Sequence, residues 1–346
     1  MNAPPPSAPG DFEWSLAMVE TGATLTTDAA QRAMACVMRG QVPDPMLARW
    51  LGSMALRVPT AAELLGFVKA VLPGMVRVPT ATPPERILDT CGTGGAPKVF
   101  NASTLAALVA ASGGSPCAKH GNRSRTGFGS SETLAAMGMQ TEAEPTQQAR
   151  SLEEHGFCFC LAPRHHPGAA HAAAVRRALG IPTIFNVIGP LVNPAGALRQ
   201  VIGVWDERLL LPVAETLAAM GAAQAMVLHA MDGLDEVSVC ATTRFVHVER
   251  GSVTEEGTLE PSMFGLALHA AAPPRAANLA EAVSIATALL EGRESGPRRD
   301  MLLANAAVAL VVSGHRLSWR DAAGMARELL DSRRTLQLVE RLCGRG

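Results

Sequence analysis

Tyrosine is missing altogether from this 346-residue chain, and aromatic residues make up only 4% of it. Proteins that grip single-stranded nucleic acid stack its bases on aromatic side chains, and that surface is scarce here. Charge of either sign is also sparse: charged residues total 18%, and their balance leaves a formal net charge of -1. No global field draws the chain to nucleic acid or to an anionic membrane, so any anion site must be a local arrangement. No apolar run reaches the ~18 uninterrupted residues of a membrane span. The opening MNAPPPSAPGDF lacks the basic-then-apolar order of an export signal. The expectation is a cytoplasmic protein with neither membrane nor nucleic acid as a partner. The seven cysteines include no two pairs with metal-ligand spacing. Cys158 and Cys160 of GFCFCLAP would share one strand face, and all seven read as buried free thiols of a reducing compartment.

What is present in quantity is apolar: hydrophobic residues are 48% of the chain, enough for a sizeable core in one large domain or two unequal ones. Residues 1–12 read as a Pro-rich tail. From about 13 to 76 the punctuation is helical. Asp28 is a candidate cap for the segment through Met38, Asp44 precedes a first-turn Pro45, and Thr60-Ala-Ala-Glu63 is a capping box ahead of LLGFVKAVL. RVPTATPPER (77–86) breaks the periodicity and reads as a linker. Beyond it, RILDTCG, SPCAKHG, GFCFCLAP, QVIGVW and AQAMVLHA read as strands, and STLAALVAAS, SETLAAMG and ERLLLPVAETLAAMG as helices between them. That alternation predicts a mostly parallel sheet with helices on its faces, RFVHVERGSVTEE adding an antiparallel hairpin. Three helical stretches, starting near Asn278, Arg299 and Ser318, close the chain. The fold class expected is α/β: a small all-helical N-terminal domain (13–76, with a contribution from about 172–196) joined to a larger α/β domain (85–346).

Four segments concentrate chemistry. In DTCGTGGAPKVFNAST (89–104), Gly92, Gly94 and Gly95 let backbone N–H groups approach a ligand with no Cβ in the way. Asn101, Ser103 and Thr104 stand where a helix begins, at the positive end of its dipole. The spacing fits neither a dinucleotide fingerprint nor a Walker loop, so the local pattern leaves open an anion cradle or a plain strand-to-helix turn. AKHGNRSRTGFGSSE (118–132) gathers Lys119, His120, Asn122, Arg123 and Arg125 among glycines, a polyanion loop or a solvated basic one. APRHHPG with AAAVRRALGIPTIFNVIGPLVNPAG brings His166, Arg176 and Pro190, and a guanidinium suits a substrate carboxylate. In DGLDEVSV, Asp235 and Glu236 are hard oxygen ligands suited to Mg²⁺, or else an exposed acidic loop.

Taken in order, GTGG with FNAST, KHGNRS, APRHHP, VRRALGIPTIFNVIGPLVNPAG and GLDEVS resemble the anthranilate phosphoribosyltransferase family, part of the nucleoside phosphorylase class III group. The likeness runs from about residue 13 to 342. It implies a homodimer in which the active site lies between the two domains. The amine of anthranilate there displaces diphosphate from C1 of phosphoribosyl diphosphate, a step of tryptophan biosynthesis. Carried over by position, Gly92, Thr93, Gly94, Gly95, Asn101, Ser103, Thr104 and Lys119 would hold the phosphates. Asp235 and Glu236, with Ser103, would bind Mg²⁺. His120, Asn122, His166, Arg176 and Pro190 would shape the anthranilate pocket, Arg176 facing the carboxylate and His120 being the candidate proton acceptor.

Two departures from the family pattern stand in this sequence. Ala96 replaces the usual Asp after GTGG, and the connection to FN is one residue shorter. The loop after KHGNR is also altered, with Phe128 near an expected lysine. Lys98 and Arg125 are candidates for replacement charge. The same departures keep open a transferase of this family acting on another aromatic acceptor. A non-catalytic, nucleic-acid-binding relative is the reading that composition argues against.

Overall fold

The computed structural model describes residues 10–96, 99–124 and 127–345. The chain opens with four helices, α1 (Asp11–Glu20), α2 (Thr27–Met38), α3 (Asp44–Ala55) and α4 (Ala61–Val71). Phe12, placed in the tail by the sequence reading, lies in α1 and packs its ring 5.7 Å from that of Trp50; Phe67 meets the same indole edge-on at 5.6 Å. The Thr60–Glu63 capping box forms as expected. Glu63 also accepts the Leu25 N–H at 2.8 Å and pairs with Arg57, so one fully buried carboxylate fixes two loops. Burial raises its pKa, but Arg57 and the two backbone donors outweigh that and hold it below the ordinary value. Two expected caps are corrected. Thr26, not Asp28, caps α2 by accepting from Ala29 N, and Asp44 begins α3 with no side-chain cap.

The larger part is a seven-stranded sheet: β1 (Leu88–Gly92), β2 (Cys117–Gly121), β3 (Phe157–Leu161), β4 (Arg199–Gly203), β5 (Gln224–Ala230), β6 (Thr243–Glu249) and β7 (Ser252–Leu259). The order is β3-β2-β1-β4-β5-β6-β7, parallel through β5 and antiparallel for the hairpin β6–β7. Strand order reverses at β1, which has β2 on one side and β4 on the other. In open α/β sheets the crevice beyond such strand ends is where ligands bind.

Connecting helices are α5 (Ala102–Ser112), α6 (Ser130–Ala136), α7 (Pro145–His155), α8 (Ala162–His165), α9 (Ala173–Leu179), α10 (Ile184–Ile188) and α11 (Leu210–Ala219). The C-terminal region holds α12 (Leu279–Leu290), α13 (Pro297–Val312), α14 (Trp319–Asp331) and α15 (Arg334–Leu342). That is one helix more than expected, because Arg333 at φ 60° turns the chain between α14 and α15. From Met301 to Leu310 every residue of α13 is buried, and with α5 the helix covers one sheet face. On the other face a single core runs from α1–α4 through α9, α10 and α11 onto β4, β5 and β6. The crossover from β3 to β4 thus packs against α2, α3 and α4, which brings Arg176 and Pro190 up to the strand ends. The cysteines are all free, but Cys240 and Cys343 are only half-buried.

Candidate active site

The glycine loop leaves β1 directly into the switch-point crevice. Gly94 and Gly95 have φ of 65° and 93°, backbone that side chains rarely adopt. Gly92 is required for a different reason, since a β-carbon there would stand 2.3 Å from Asp235 Oδ2. The loop is tied on both sides. Thr93 N donates to Gly203 O at 2.8 Å, and Asn186 Nδ2 of α10 donates to Thr93 O at 3.2 Å. Helix α5 follows, and its first N–H groups face the same crevice as an anion-favouring end.

Asn101 precedes α5 without capping it. Its amide instead reaches the second loop and the helix after it, donating to Phe128 O at 3.4 Å and to Thr133 Oγ1 of α6 at 2.8 Å, while Thr104 Oγ1 donates to Ser130 Oγ at the start of α6 at 2.6 Å. The two glycine-bearing loops are therefore stitched together by the hydroxyl and amide side chains expected to hold phosphates. Asp235 and Glu236 are buried, at 5% and 6% exposure, so they do not form an exposed acidic loop. Glu236 Oε1 accepts from Ser103 N at 3.3 Å, which sets the carboxylate at the start of α5. Two buried carboxylates are an incomplete cage, and no group of three or more His, Cys, Asp or Glu among the described residues is arranged to hold a metal ion by itself. Such a donor set fits Mg²⁺, which takes its remaining oxygens from water and phosphate.

Across the crevice, the His120 and His166 rings meet at a tilt of 56° with centroids 5.1 Å apart. Gly189 O, which can only accept, lies 3.1 Å from His120 Nδ1, so Nδ1 carries the hydrogen. His120 Nε2 is then an unprotonated, buried nitrogen without a hydrogen bond among the described residues. Burial, then the neighbouring His166 and His165, push the His120 pKa well below the ordinary value. Arg176 at the end of α9 lays its guanidinium over Phe185, 5.0 Å from the ring centroid. Burial lowers its pKa, and no carboxylate among the described residues pairs with it. Pro190 follows Gly189 and is buried, its carbonyl held by Gln200 Nε2 at 2.8 Å. Asn122 is exposed just beyond β2, and its Oδ1 accepts from the adjacent Arg123 N–H at 2.8 Å. Lys119 is 2% exposed, its ammonium turned inward onto Thr90 O and away from the loop surface.

Comparison with known proteins gives the same assignment. Residues 84–336 match the model of the glycosyl transferase family a/b domain, and residues 16–72 match that of its helical bundle domain. The anthranilate phosphoribosyltransferase of Herpetosiphon aurantiacus is 38% identical over 92% of this chain and 94% of its own. This chain belongs to the anthranilate phosphoribosyltransferase family. Among solved structures, the anthranilate phosphoribosyltransferase of Thermus thermophilus superposes with a TM-score of 0.86 at 35% identity, covering 95% of this chain and 98% of that one. The Saccharomyces cerevisiae enzyme in complex with PRPP and Mg superposes at 0.85 with 25% identity, covering 98% of each chain.

Several residues that shape this candidate site escaped the sequence reading. Asn305 of α13 grips Val237 from both sides, Oδ1 accepting its N–H at 2.9 Å and Nδ2 donating to its carbonyl at 3.0 Å, and so sets the acidic loop. Asn186 fixes the glycine loop, and Asp89 and Asn193 lie beneath it. The only advance signal was Asp89, a carboxylate inside an apolar strand. Lys98 and Arg125 lie outside the described residues. Cavities of about 230 and 360 Å³ flank α15, remote from this chemistry, and a third of about 240 Å³ reaches Gly95 only through Pro182 and Trp205. No helix among the described residues is long and apolar enough to cross a membrane.

Proposed function

We propose that this protein transfers the phosphoribosyl group of 5-phosphoribosyl 1-diphosphate to the amine of anthranilate, releasing diphosphate. The observation that carries this reading is the facing of two half-sites across α10. On one side stand the glycine loop, the start of α5 and the Asp235–Glu236 pair. On the other stand Arg176 over Phe185 and the neutral His120–His166 pair.

The bond that breaks joins C1 of the ribose to the diphosphate oxygen, and the bond that forms joins C1 to the amine nitrogen. The Gly94 and Gly95 N–H groups of the glycine loop, with the positive end of the α5 dipole, would receive negative charge as it develops on the leaving group, whereas the Ser103 and Thr104 N–H groups are held by Glu236 and Asn101. Asp235 and Glu236 would hold Mg²⁺, which when bound supplies positive charge to the diphosphate. Arg176 binds the anthranilate carboxylate and aims the amine. Once C–N bonding begins, the amine proton becomes acidic, and the unprotonated His120 Nε2 is placed to take it. A weakly basic imidazole suffices for so acidic a proton.

Gly92–Gly95, Asn101, Ser103, Thr104, Lys119, Asn122, His166 and Pro190 complete the same assignment, Lys119 acting from below the loop through its charge. Residues 13–76, with a contribution from about 172–196, form the small helical domain of the proposed enzyme, and the remainder of 85–346 forms its α/β domain. A homodimer in the cytoplasm completes the reading, its oligomeric state checked by light scattering. The decisive test mixes purified protein with anthranilate, phosphoribosyl diphosphate and Mg²⁺ and follows the loss of anthranilate fluorescence. Folded protein that leaves the fluorescence unchanged over a broad concentration range sinks the proposal.

A further inference from the structure

The three other parallel strand pairs of the sheet are each registered over five residue pairs, but β1 and β2 are registered at Leu88–Cys117 alone. Past that point side chains replace the ladder. His120 N, which would otherwise continue the pairing toward β1, donates to Asp89 Oδ1 at 3.1 Å. Asp89 Oδ2 accepts from Asn193 Nδ2 at 2.8 Å, and the same amide nitrogen donates to Ala118 O at 2.8 Å. Lys119 reaches back to Thr90 O; complete burial raises the pKa of Asp89, and the Lys119 charge and the donors around the carboxylate oppose that without cancelling it. Strand β1 carries the glycine loop, and β2 carries His120 and the loop after it. The side chains between them therefore set how far the donor half of the site stands from the acceptor half.

We propose that Asp89 is a positioning residue: its carboxylate, shared between His120 N and Asn193 Nδ2, fixes the spacing of β1 and β2 and thereby aligns donor and acceptor. The inference rests on the transferase reading for its consequence in catalysis, and on the sheet geometry for the clamp itself. The physical reason for two-sided sensitivity is simple. Asp89 offers acceptors in both directions, whereas an asparagine offers one acceptor and one donor. In Asp89→Asn either the His120 N–H loses its acceptor or two amide nitrogens face each other at the Asn193 contact. Exchanging the pair, Asp89→Asn with Asn193→Asp, restores an acceptor for His120 N and a donor–acceptor match at the 89–193 contact. It leaves Ala118 O without its amide donor, so recovery is partial.

The test uses the full-length protein and reads steady-state kinetics with hydrogen exchange of segment 117–121. Asp89→Asn is expected to lower kcat by about 30-fold, since sub-ångström misalignment of reacting groups is costly, while KM for each substrate stays within about threefold because each half-site is intact. Exchange over 117–121 should quicken in the single variant, and the exchanged pair should recover at least a third of the lost kcat and most of the protection. A purely structural role would lower the folded fraction and leave kcat per folded site unchanged; that result, or unaltered exchange, overturns the proposal. Failure of the wild type to turn over would overturn the transferase reading instead, and the exchange data would still decide whether Asp89 clamps the strands.

Discussion

Gly203 and Asp235 are packed so closely that a β-carbon on the glycine would stand 1.7 Å from the Asp235 carbonyl oxygen. That contact is backbone, so any side chain at 203 must move the loop carrying Asp235 and Glu236. Gly203→Ala should therefore raise the Mg²⁺ concentration needed for half-maximal activity about tenfold or more. Anthranilate KM should change little, because Arg176 lies on another element. Overpacking of this kind costs roughly 1–3 kcal/mol of stability, so a lowered Tm accompanies the effect. A magnesium titration that matches wild type would show that the acidic loop does not need this approach.

Arg176 makes a sharper case, because a half-buried guanidinium over Phe185 with no carboxylate beside it is poised for an anionic substrate. Arg176→Ala should raise anthranilate KM about 100-fold with kcat at saturation within about threefold, the pattern of a lost binding contact. Arg176→Lys should recover only part of this, since a lysine cannot offer the planar fork or the stacked face. Equal effects on aniline, which has no carboxylate, and on anthranilate would remove the carboxylate role.

Much of the fold was legible because β1 to β5 are short apolar runs and α5 and α11 are apolar helices between them, whereas α7, whose sequence PTQQARSLEEH is mostly polar, was not read. The fourth C-terminal helix was not, since it depends on Arg333 taking a left-handed conformation that arginine seldom adopts. The glycine loop, the acid pair and Arg176 were legible because their residue types carry their chemistry. Asp89, Asn305 and Asn186 act through partners 104, 68 and 93 residues away in sequence, and such pairings are made only by the folded chain. Asn101 and Thr104 were found for one reason and act, in the structure, for another: they join the two loops.

The altered loops give a third prediction. Ala96 puts a methyl group where a carboxylate was expected, and Phe128 packs its ring against the core where a cation was expected. If Lys98 and Arg125 replace the missing charge, Lys98→Ala and Arg125→Ala should each raise KM for phosphoribosyl diphosphate about tenfold and flatten its dependence on salt. Unchanged apparent affinity in both variants would sink the idea of substitute charge.

His166 links the acceptor side to stability. Burial, with His165 beside it, pushes its pKa down from 6.5 to about 4, and the nearby Val192 carbonyl only partly opposes this. Neither ring nitrogen makes a hydrogen bond of ordinary geometry among the described residues. Between pH 6.5 and 4 the unfolded chain binds a proton that the folded chain refuses, so stability falls as pH drops through that window and is untouched above it. The full effect is about 3 kcal/mol, of which about 1 kcal/mol is lost between pH 7.5 and 5.5. His166→Gln removes the titrating group, so urea unfolding should show the wild type losing about 1 kcal/mol more than the variant over that interval. His120 is held neutral by the same burial and remains in both proteins, so it does not erase the difference. Equal losses would mean that His166 takes up its proton in the folded state, and the acceptor pocket would then carry a positive charge near pH 6 that a neutral arylamine does not need.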